Sequence, residues 1–251
     1  MPSNALQRNW FDQGGSAYAR FRPEYPPELA EWLAGQASDR QLAIDVGCGN
    51  GQLTALLAPH FEHVSGFDPS ADQIANAAPH ANITYQRASA EHLPAPERSA
   101  SLITAAQAAH WFDLPAFYAE VRRIAAPAAV LALISYGVLS LGPGLNELFR
   151  KFYDDDIGPF WPPERALVDS GYATIDFPFA EFAAPPMQIR LQWTLDELLG
   201  YVSTWSATRA VREAGKERML TRFADQLGAA WGDPEQARTV TWPVSMRVGR
   251  L

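Results

Sequence analysis

The 251-residue sequence has a single cysteine, Cys48, and this scarcity limits its chemistry. One cysteine cannot form an intramolecular disulfide, and it excludes metal sites built from several cysteines. A chain of this kind suits a reducing compartment, so we expect a cytoplasmic protein. The opening stretch MPSNALQRNWFDQGG lacks an apolar core, and we therefore expect no secretory signal in it.

Basic residues are also in deficit, with 20 Lys and Arg against 28 Asp and Glu, for a formal net charge of −8. This balance is unfavourable for binding phosphates of nucleic acid, so we predict no nucleic acid partner. A long apolar run occurs at 125–145, but Pro127, Gly137, Pro143 and Gly144 interrupt it. A membrane-spanning helix needs about 20 apolar residues. We interpret the run as a buried strand that leads into a loop, and predict no membrane partner.

Short apolar runs alternate with helical spacings through the first half of the chain. Strands are predicted at 42–46, 63–68, 82–88, 101–108 and 129–136, and helices at 26–37, 51–61, 69–78 and 114–125. This alternation is typical of a doubly wound α/β fold with a mostly parallel sheet. Beyond it, the pattern predicts helices at 143–171, extended chain at 172–193, helices at 195–231 and a closing strand at 238–249.

Three alternating glycines stand between the first predicted strand and helix, in Ile44-Asp45-Val46-Gly47-Cys48-Gly49-Asn50-Gly51. Glycine lets the backbone turn tightly and approach a ligand closely. The following helix directs its free N–H groups to the same place. A dinucleotide fingerprint requires Gly-x-Gly-x-x-Gly, whereas the sixth position here is Gln52. The motif therefore predicts a ligand site at the carboxyl end of the strand. Its glycine spacing departs from the NAD pattern.

Asp68 ends the second predicted strand, at about the distance from the glycine motif where ribose-binding acids occur. A carboxylate there can accept hydrogen bonds from both ribose hydroxyls. S-adenosylmethionine and NAD share that ribose, so Asp68 alone does not separate the two cofactors.

The glycine spacing, with an acid two residues before it, resembles motif I of class I S-adenosylmethionine-dependent methyltransferases. The resemblance extends to Ser89-Ala90-Glu91-His92-Leu93-Pro94, similar to an adenine-lining segment, and to Gln107-Ala108-Ala109-His110-Trp111-Phe112. It is firm over 41–136. At 11–27 and 193–249 it is looser and points to the trans-aconitate methyltransferase type, with a methyltransferase type 11 domain. Ala125-Ala126-Pro127-Ala128-Ala129 replaces the family's Lys-Pro-Gly-Gly turn, where we expect only a local loop difference.

The resemblance implies a Rossmann-like sheet with an antiparallel closing strand, S-adenosyl-L-methionine as cofactor, and helical insertions that form a lid. The implied regions are cap helices at 1–40, a cofactor-binding core at 41–136, a lid and substrate region at 137–237, and the closing strand at 238–251. The residues expected to bind the cofactor are Asp45, Gly47, Gly49, Gly51, Asp68, Pro69, Ser89, Ala90, Glu91, Gln107 and Trp111.

Methyl transfer from a sulfonium mainly requires alignment of the acceptor and exclusion of water. Tyr18 and Arg22 are the candidate anchors, and Arg22 could bind a substrate carboxylate through two hydrogen bonds. The alternative for Arg22 is a surface ion pair with Glu24 or Glu28. His110 is a candidate base or cofactor contact. Its alternative is a packed, hydrogen-bonded histidine.

Four residues of the later regions are candidates for substrate binding: Tyr136, Trp161, Trp205 and Arg209. Aromatic walls with an arginine suit a small acid with an apolar tail, although packing between helices is the alternative for each. We interpret Cys48 as a packing residue, because no base is near it in sequence. Consecutive acids at 154–156 point in different directions on a helix, so we predict no metal.

These patterns predict methyl transfer to a small-molecule acceptor, with O-methylation of a carboxylic acid as the leading candidate. Carbon or oxygen methylation of a quinone or secondary metabolite is the alternative within the fold. A nicotinamide-dependent oxidoreductase and a non-catalytic cofactor-binding protein are the alternatives outside it. The patterns favour no particular acceptor atom or oligomeric state.

Overall fold

Helices and strands alternate through the part of the chain that the computed structural model describes, residues 22–251. The first half contains α1 Pro27–Gln36, β1 Leu42–Val46, α2 Gln52–Leu57, β2 His63–Asp68, α3 Ala71–Ala75, β3 Ile83–Arg87, β4 Ala100–Ala106, α4 Leu114–Ile124 and β5 Ala125–Tyr136. The second half contains α5 Asn146–Lys151, α6 Arg165–Asp169, β6 Ala180–Phe182, β7 Met187–Trp193, α7 Leu195–Ser203, α8 Ser206–Glu213, α9 Arg218–Trp231 and β8 Arg238–Arg250. A π-helical turn spans Phe152–Asp156, and 3-10 turns span Ala58–His60, Ala109–Trp111 and Gly158–Phe160.

All eight strands join one sheet, in the order β3-β2-β1-β4-β5-β8-β6, with β7 also paired to β8. The first five strands are parallel, and β8 runs antiparallel to β5. This confirms the predicted doubly wound, mostly parallel sheet with an antiparallel strand. However, β8 does not form the edge. Its first half pairs with β7 and its end with β6, so these two short strands cover its outer side.

Local chemistry explains where the predicted elements begin and end. Ser70 caps α3, because its side chain accepts a hydrogen bond from the Gln73 amide. The helix predicted at 51–61 ends at Leu57, and Pro59 then lies in a 3-10 turn. Strand β4 stops at Ala106 because Gln107 adopts a left-handed backbone with φ of +53°.

The core consists of two apolar layers, one on each face of the sheet. Strand β5 supplies both layers, with Val130 and Ile134 in one and Leu131 and Leu133 in the other. The apolar run is therefore a strand buried on both faces, as predicted. No helix within residues 22–251 is long and apolar enough to cross a membrane.

Strand β5 begins earlier than predicted, at Ala125, which pairs with Ala100 before a register shift. The sequence Ala125–Ala129 thus belongs to the strand. Ala128 has φ of +60°, a left-handed conformation that favours glycine. The local loop difference expected at this position is an irregularity of the strand. It lies at the amino ends of β4 and β5, at the edge of the sheet opposite the glycine motif.

Candidate active site

A cavity of about 740 Å³ opens at the carboxyl edge of the parallel strands. Its floor is the glycine motif after β1, and its sides follow the ends of β2, β4 and β5. Ten of the predicted site residues line it, namely Arg22, Asp45, Gly47, Gly49, Asp68, Pro69, Gln107, Trp111, Tyr136 and Trp161. In a doubly wound sheet this edge is where ligands bind, so the fold alone brings these residues together.

The glycine motif forms a tight loop against β2 and β3. The amides of Gly47 and Cys48 both donate to the Phe67 carbonyl, at 2.7 and 3.0 Å. Gly47 has φ of +67°, and a Cβ there would lie 2.5 Å from the Ala108 Cβ. Gly51 has φ of +86°, and a Cβ there would collide with the ring of Tyr85. Both positions therefore require glycine, and bare backbone forms the cavity floor.

Asp45 is buried beneath this floor and holds neighbouring elements together. Its carboxylate accepts hydrogen bonds from Thr54 of α2 at 2.7 Å and from Thr104 of β4 at 2.8 Å. Burial raises the pKa of Asp45 to about 6, although these hydrogen bonds act in the opposite direction. The residue thus fixes the start of α2 relative to β1 and β4, in addition to lining the cavity.

Asp68 lies at the end of β2 and is bound by backbone on both oxygens. It accepts hydrogen bonds from the amides of Gly49 and Ser70, each at 2.9 Å. Burial raises the pKa of Asp68, whereas the two amides lower it. A carboxylate has about four acceptor positions. Asp68 therefore orders the glycine loop and retains acceptor capacity toward the cavity that it lines.

The opposite wall is organised around Tyr136 at the end of β5. Gln107 donates its side-chain amide to the Tyr136 carbonyl at 3.0 Å. Arg22 donates to the Tyr136 hydroxyl at 3.2 Å, and its guanidinium lies 5.6 Å from the centre of the Tyr201 ring. Tyr136 and Tyr201 thus place Arg22 at the cavity wall.

Trp161 lines the cavity, whereas Trp205 is buried behind it. The two indole rings are 5.3 Å apart, and Trp205 also packs edge-on against Tyr153. Arg165 lies 4.9 Å from the centre of the Trp161 ring and donates to the Tyr153 hydroxyl at 2.8 Å. Trp205 therefore supports the aromatic wall from outside the cavity.

His110 follows β4 but is not among the residues that line this cavity. Its Nδ1 is 2.9 Å from the Tyr172 hydroxyl, and its ring packs against Trp111 at 4.7 Å. Burial lowers the pKa of His110 to about 3, and the charge of Arg165 acts in the same direction. The side chain is neutral at neutral pH and a weak base. This geometry favours the packed, hydrogen-bonded alternative, and catalysis by His110 stays a prediction.

The remaining predicted residues lie away from the described cavity lining. They are Gly51, Ser89, Ala90, Glu91 and Arg209. Gly51 caps α2, Ser89 and Ala90 precede the turn to Leu93, and Arg209 belongs to α8. Glu91 accepts a hydrogen bond from the Asp113 amide at 3.1 Å. Their ligand contacts stay predictions, and Tyr18 falls outside the described residues.

Sequence reasoning missed several residues that line the cavity, among them two polar residues of the lid region. Glu164 and Ser206, from the insertions after β5 and β7, also line the cavity. Their only signal was their place in the predicted lid region, because neither belongs to a motif. Cys48 lines the cavity as well, and burial raises the pKa of its thiol far above the ordinary value, which keeps it protonated.

Two of the three consecutive acids at 154–156 form ion pairs with arginines. Asp154 bonds to Arg150 at 3.0 Å and Asp156 to Arg222 at 3.1 Å. Residues 22–251 contain no group of three or more His, Cys, Asp and Glu that could hold a metal ion.

Comparison with known proteins places this geometry in a family. A family model described as a methyltransferase domain matches residues 44–133. A methyltransferase-family protein of Dictyostelium discoideum is 35% identical over 225 residues, which cover 88% of this chain and 86% of the relative. The chain belongs to the class I S-adenosylmethionine-dependent methyltransferases. An uncharacterized methyltransferase of Mycobacterium tuberculosis is 35% identical over 127 residues, covering 49% of this methyltransferase and 51% of the relative.

A solved structure agrees with this assignment. A type II methyltransferase-family protein from Anaeromyxobacter dehalogenans has 45% sequence identity to this methyltransferase and a TM-score of 0.86. The match covers 92% of this chain and 98% of the other. Family membership thus confirms the predicted methyltransferase and disfavours the oxidoreductase alternative. It leaves open the trans-aconitate type and the acceptor.

Proposed function

We propose that this methyltransferase binds S-adenosyl-L-methionine on the glycine loop and methylates a carboxylate oxygen of a small acid. When bound, the cofactor supplies a methyl group on a sulfonium, which is already activated toward a nucleophile. Two features fit the cofactor. The glycine loop lines the cavity with bare backbone at Gly47 and Gly49, and the Asp68 carboxylate lies at the expected place of the ribose. The chain has then to orient the acceptor and exclude water.

The observation that supports a carboxylic acid is the Arg22 guanidinium on an aromatic cavity wall. Tyr136 fixes it by a hydrogen bond, and the cavity beside it is also lined by Trp111, Phe160 and Trp161. A guanidinium can donate two parallel hydrogen bonds to a carboxylate. The aromatic side chains can pack against an apolar remainder of the acid. A carboxylate is nucleophilic without loss of a proton, so it does not need a base from His110, which is a weak base outside the described cavity lining.

A second candidate is methylation of an acceptor that must first lose a proton, such as a phenol. The observation that favours it is Glu164, a partly buried carboxylate on the same cavity wall. In this alternative Glu164 accepts the proton of the acceptor. Arg22 would then contribute only part of the free energy of acceptor binding.

Matched variants separate the two candidates. Arg22→Gln and Glu164→Gln should be assayed with a panel of aryl carboxylic acids and phenols, using S-adenosylhomocysteine release as the readout. We expect Arg22→Gln to raise KM for acids by about tenfold or more, because charged hydrogen bonds are lost, and Glu164→Gln to leave their kcat unchanged. Phenol turnover that depends on Glu164, with no turnover of acids, would overturn the first proposal in favour of the second.

Cofactor binding provides the control for both variants. Calorimetry with S-adenosylhomocysteine should give the wild-type affinity for Glu164→Gln, because Glu164 lies in the lid region and not in the glycine loop. Failure of the wild-type protein to bind S-adenosylhomocysteine would reject the cofactor assignment itself, independently of the acceptor.

A further inference from the structure

A second cavity, of about 600 Å³, lies at the opposite edge of the sheet from the glycine loop. It is bordered by the turn before β4, the last turn of α4, the start of β5 and the end of β8. Ala125 pairs with Ala100, and Val130 pairs with Arg250, so the cavity lies at the amino ends of β4 and β5. This place separates it from the candidate active site at the carboxyl ends.

Three arginines from three different elements line this cavity, Arg98, Arg122 and Arg250, and all three are exposed. The described lining contains no Asp or Glu side chain. Within residues 22–251, none of the ion pairs includes these arginines. A concentration of positive charge in a chain of net charge −8 favours the approach of an anion.

Neighbouring acids are mostly bound to other arginines. Glu120 forms an ion pair with Arg123 at 2.7 Å, and Glu181 one with Arg247 at 2.7 Å. Glu97 precedes Arg98 in the chain, but it is exposed and its charge acts on Arg123. The described lining therefore contains more positive than negative groups, three guanidinium groups against the main-chain carboxylate of Leu251.

Two of the three guanidinium groups are held in place by the protein. Arg122 lies 4.9 Å from the centre of the Phe179 ring and donates to the Tyr118 and Pro178 carbonyls at 3.4 Å. Arg250 donates to the Ala128 carbonyl at 3.0 Å. An arginine has five N–H donors, so most remain for a ligand. Phe179, together with Phe177, also provides an aromatic wall.

The backbone around the cavity is strained at two non-glycine residues. Arg98 has φ of +52° and Ala128 has φ of +60°. Such conformations persist where the surrounding structure enforces them, and they cluster at functional sites. Arg98 places its side chain at the cavity through this conformation, and the carbonyl of Ala128 binds Arg250. The strain is an observation independent of the charge.

We propose that this arginine-lined cavity is a binding site for an organic phosphate. The guanidinium groups match phosphate oxygens in geometry and charge. Phe177 and Phe179 would contact an aromatic or other apolar part of the ligand. The site is separate from methyl transfer, and the proposal does not rest on the identity of the methyl acceptor.

The test is calorimetric titration of the full chain with phenyl phosphate, in the presence of saturating S-adenosylhomocysteine. Arg98→Gln is the principal variant, because the Arg98 side chain forms no hydrogen bond or ion pair within residues 22–251, so folding should be unaffected. We expect Arg98→Gln to weaken binding at least about fivefold, and Arg98→Gln with Arg122→Gln at least about twentyfold. Arg218→Gln, an exposed arginine of α9, is the matched control and should stay within about twofold of wild type.

Three outcomes would overturn the proposal. They are no binding of phenyl phosphate at millimolar concentration, equal affinity in Arg98→Gln and wild type, and an affinity that responds to Arg22→Gln instead, which would place the ligand in the active-site cavity. Equal thermal unfolding midpoints for the variants and wild type guard against misfolding. Binding should also weaken as salt is raised, because exposed charges are screened.

Discussion

Replacing Asp45 with asparagine is expected to stabilise the protein at alkaline pH, although it alters the floor of the active site. The carboxyl is fully buried, and burial raises its pKa from 3.8 to about 6. Between these values the unfolded chain has lost a proton that the folded chain still holds. The free energy of unfolding therefore falls as pH rises from about 4 to about 6, and it remains lower above that range.

The size of the effect follows from the pKa difference and from two hydrogen bonds. About two pKa units correspond to roughly 3 kcal/mol of stability lost above pH 6. Thr54 and Thr104 both donate to the carboxylate, whereas an amide has one acceptor oxygen. One threonine hydroxyl must reorient to accept a hydrogen bond instead, at a cost of about 1 kcal/mol. We expect Asp45→Asn to gain about 1–2 kcal/mol at pH 8.

Urea unfolding at pH 8 and pH 4.5 measures this difference. At pH 4.5 the gain should vanish, because the folded carboxyl is still protonated and the wild type has lost only about 1 kcal/mol, which the cost of reorienting a threonine hydroxyl offsets. Asp155→Asn is the matched control, since Asp155 is exposed, and it should show no such pH dependence. A variant that is less stable than wild type at pH 8 would refute the conclusion that burial dominates the energetics of Asp45.

Three further predictions concern the loop, the histidine and the strained strand. Asp68→Ala should weaken S-adenosylhomocysteine binding by about 1–3 kcal/mol in calorimetry, because charged hydrogen bonds are lost; unchanged affinity would reject the ribose assignment. His110→Ala should leave the shape of the pH–rate profile between pH 5 and 8 unchanged, because burial lowers the His110 pKa to about 3; loss of an inflection would instead identify a base. Ala128→Gly should raise the free energy of unfolding by about 0.5 kcal/mol, because glycine relieves the φ of +60°. Ala126→Gly is the control for chain entropy and should lower it.

Local patterns predicted the part of the site that one segment builds. The alternating glycines of 47–51 and the acid at the end of β2 each belong to a short segment, so their spacing and position in the sequence located them. The mostly parallel arrangement of the sheet also followed from the alternation of strands and helices. These features depend on backbone geometry that a short sequence specifies.

Contacts between distant segments could not be predicted from the sequence. Tyr85 is far from Gly51 in the chain, yet its ring fills the space beside that glycine. Glu164 carries no motif, and it reaches the cavity only because the insertion after β5 folds over it. Trp205 was expected in the acceptor pocket, but an aromatic side chain in a lid packs as readily behind a wall as in it. The division into four regions also stays a prediction.

The position of β8 has a consequence for how the chain acquires its structure. Strands β6 and β7 are made before β8, yet in the sheet each has only β8 as a neighbour. During synthesis both strands lack a pairing partner until residues 238–250 have been translated. The edge of β5 that later pairs with β8 is unpaired over the same interval. Long-range pairing of this kind slows folding and leaves open strand edges that can aggregate. A chain truncated before β8 would lose the strand pairing of β5, β6 and β7 at once, even with an intact glycine loop.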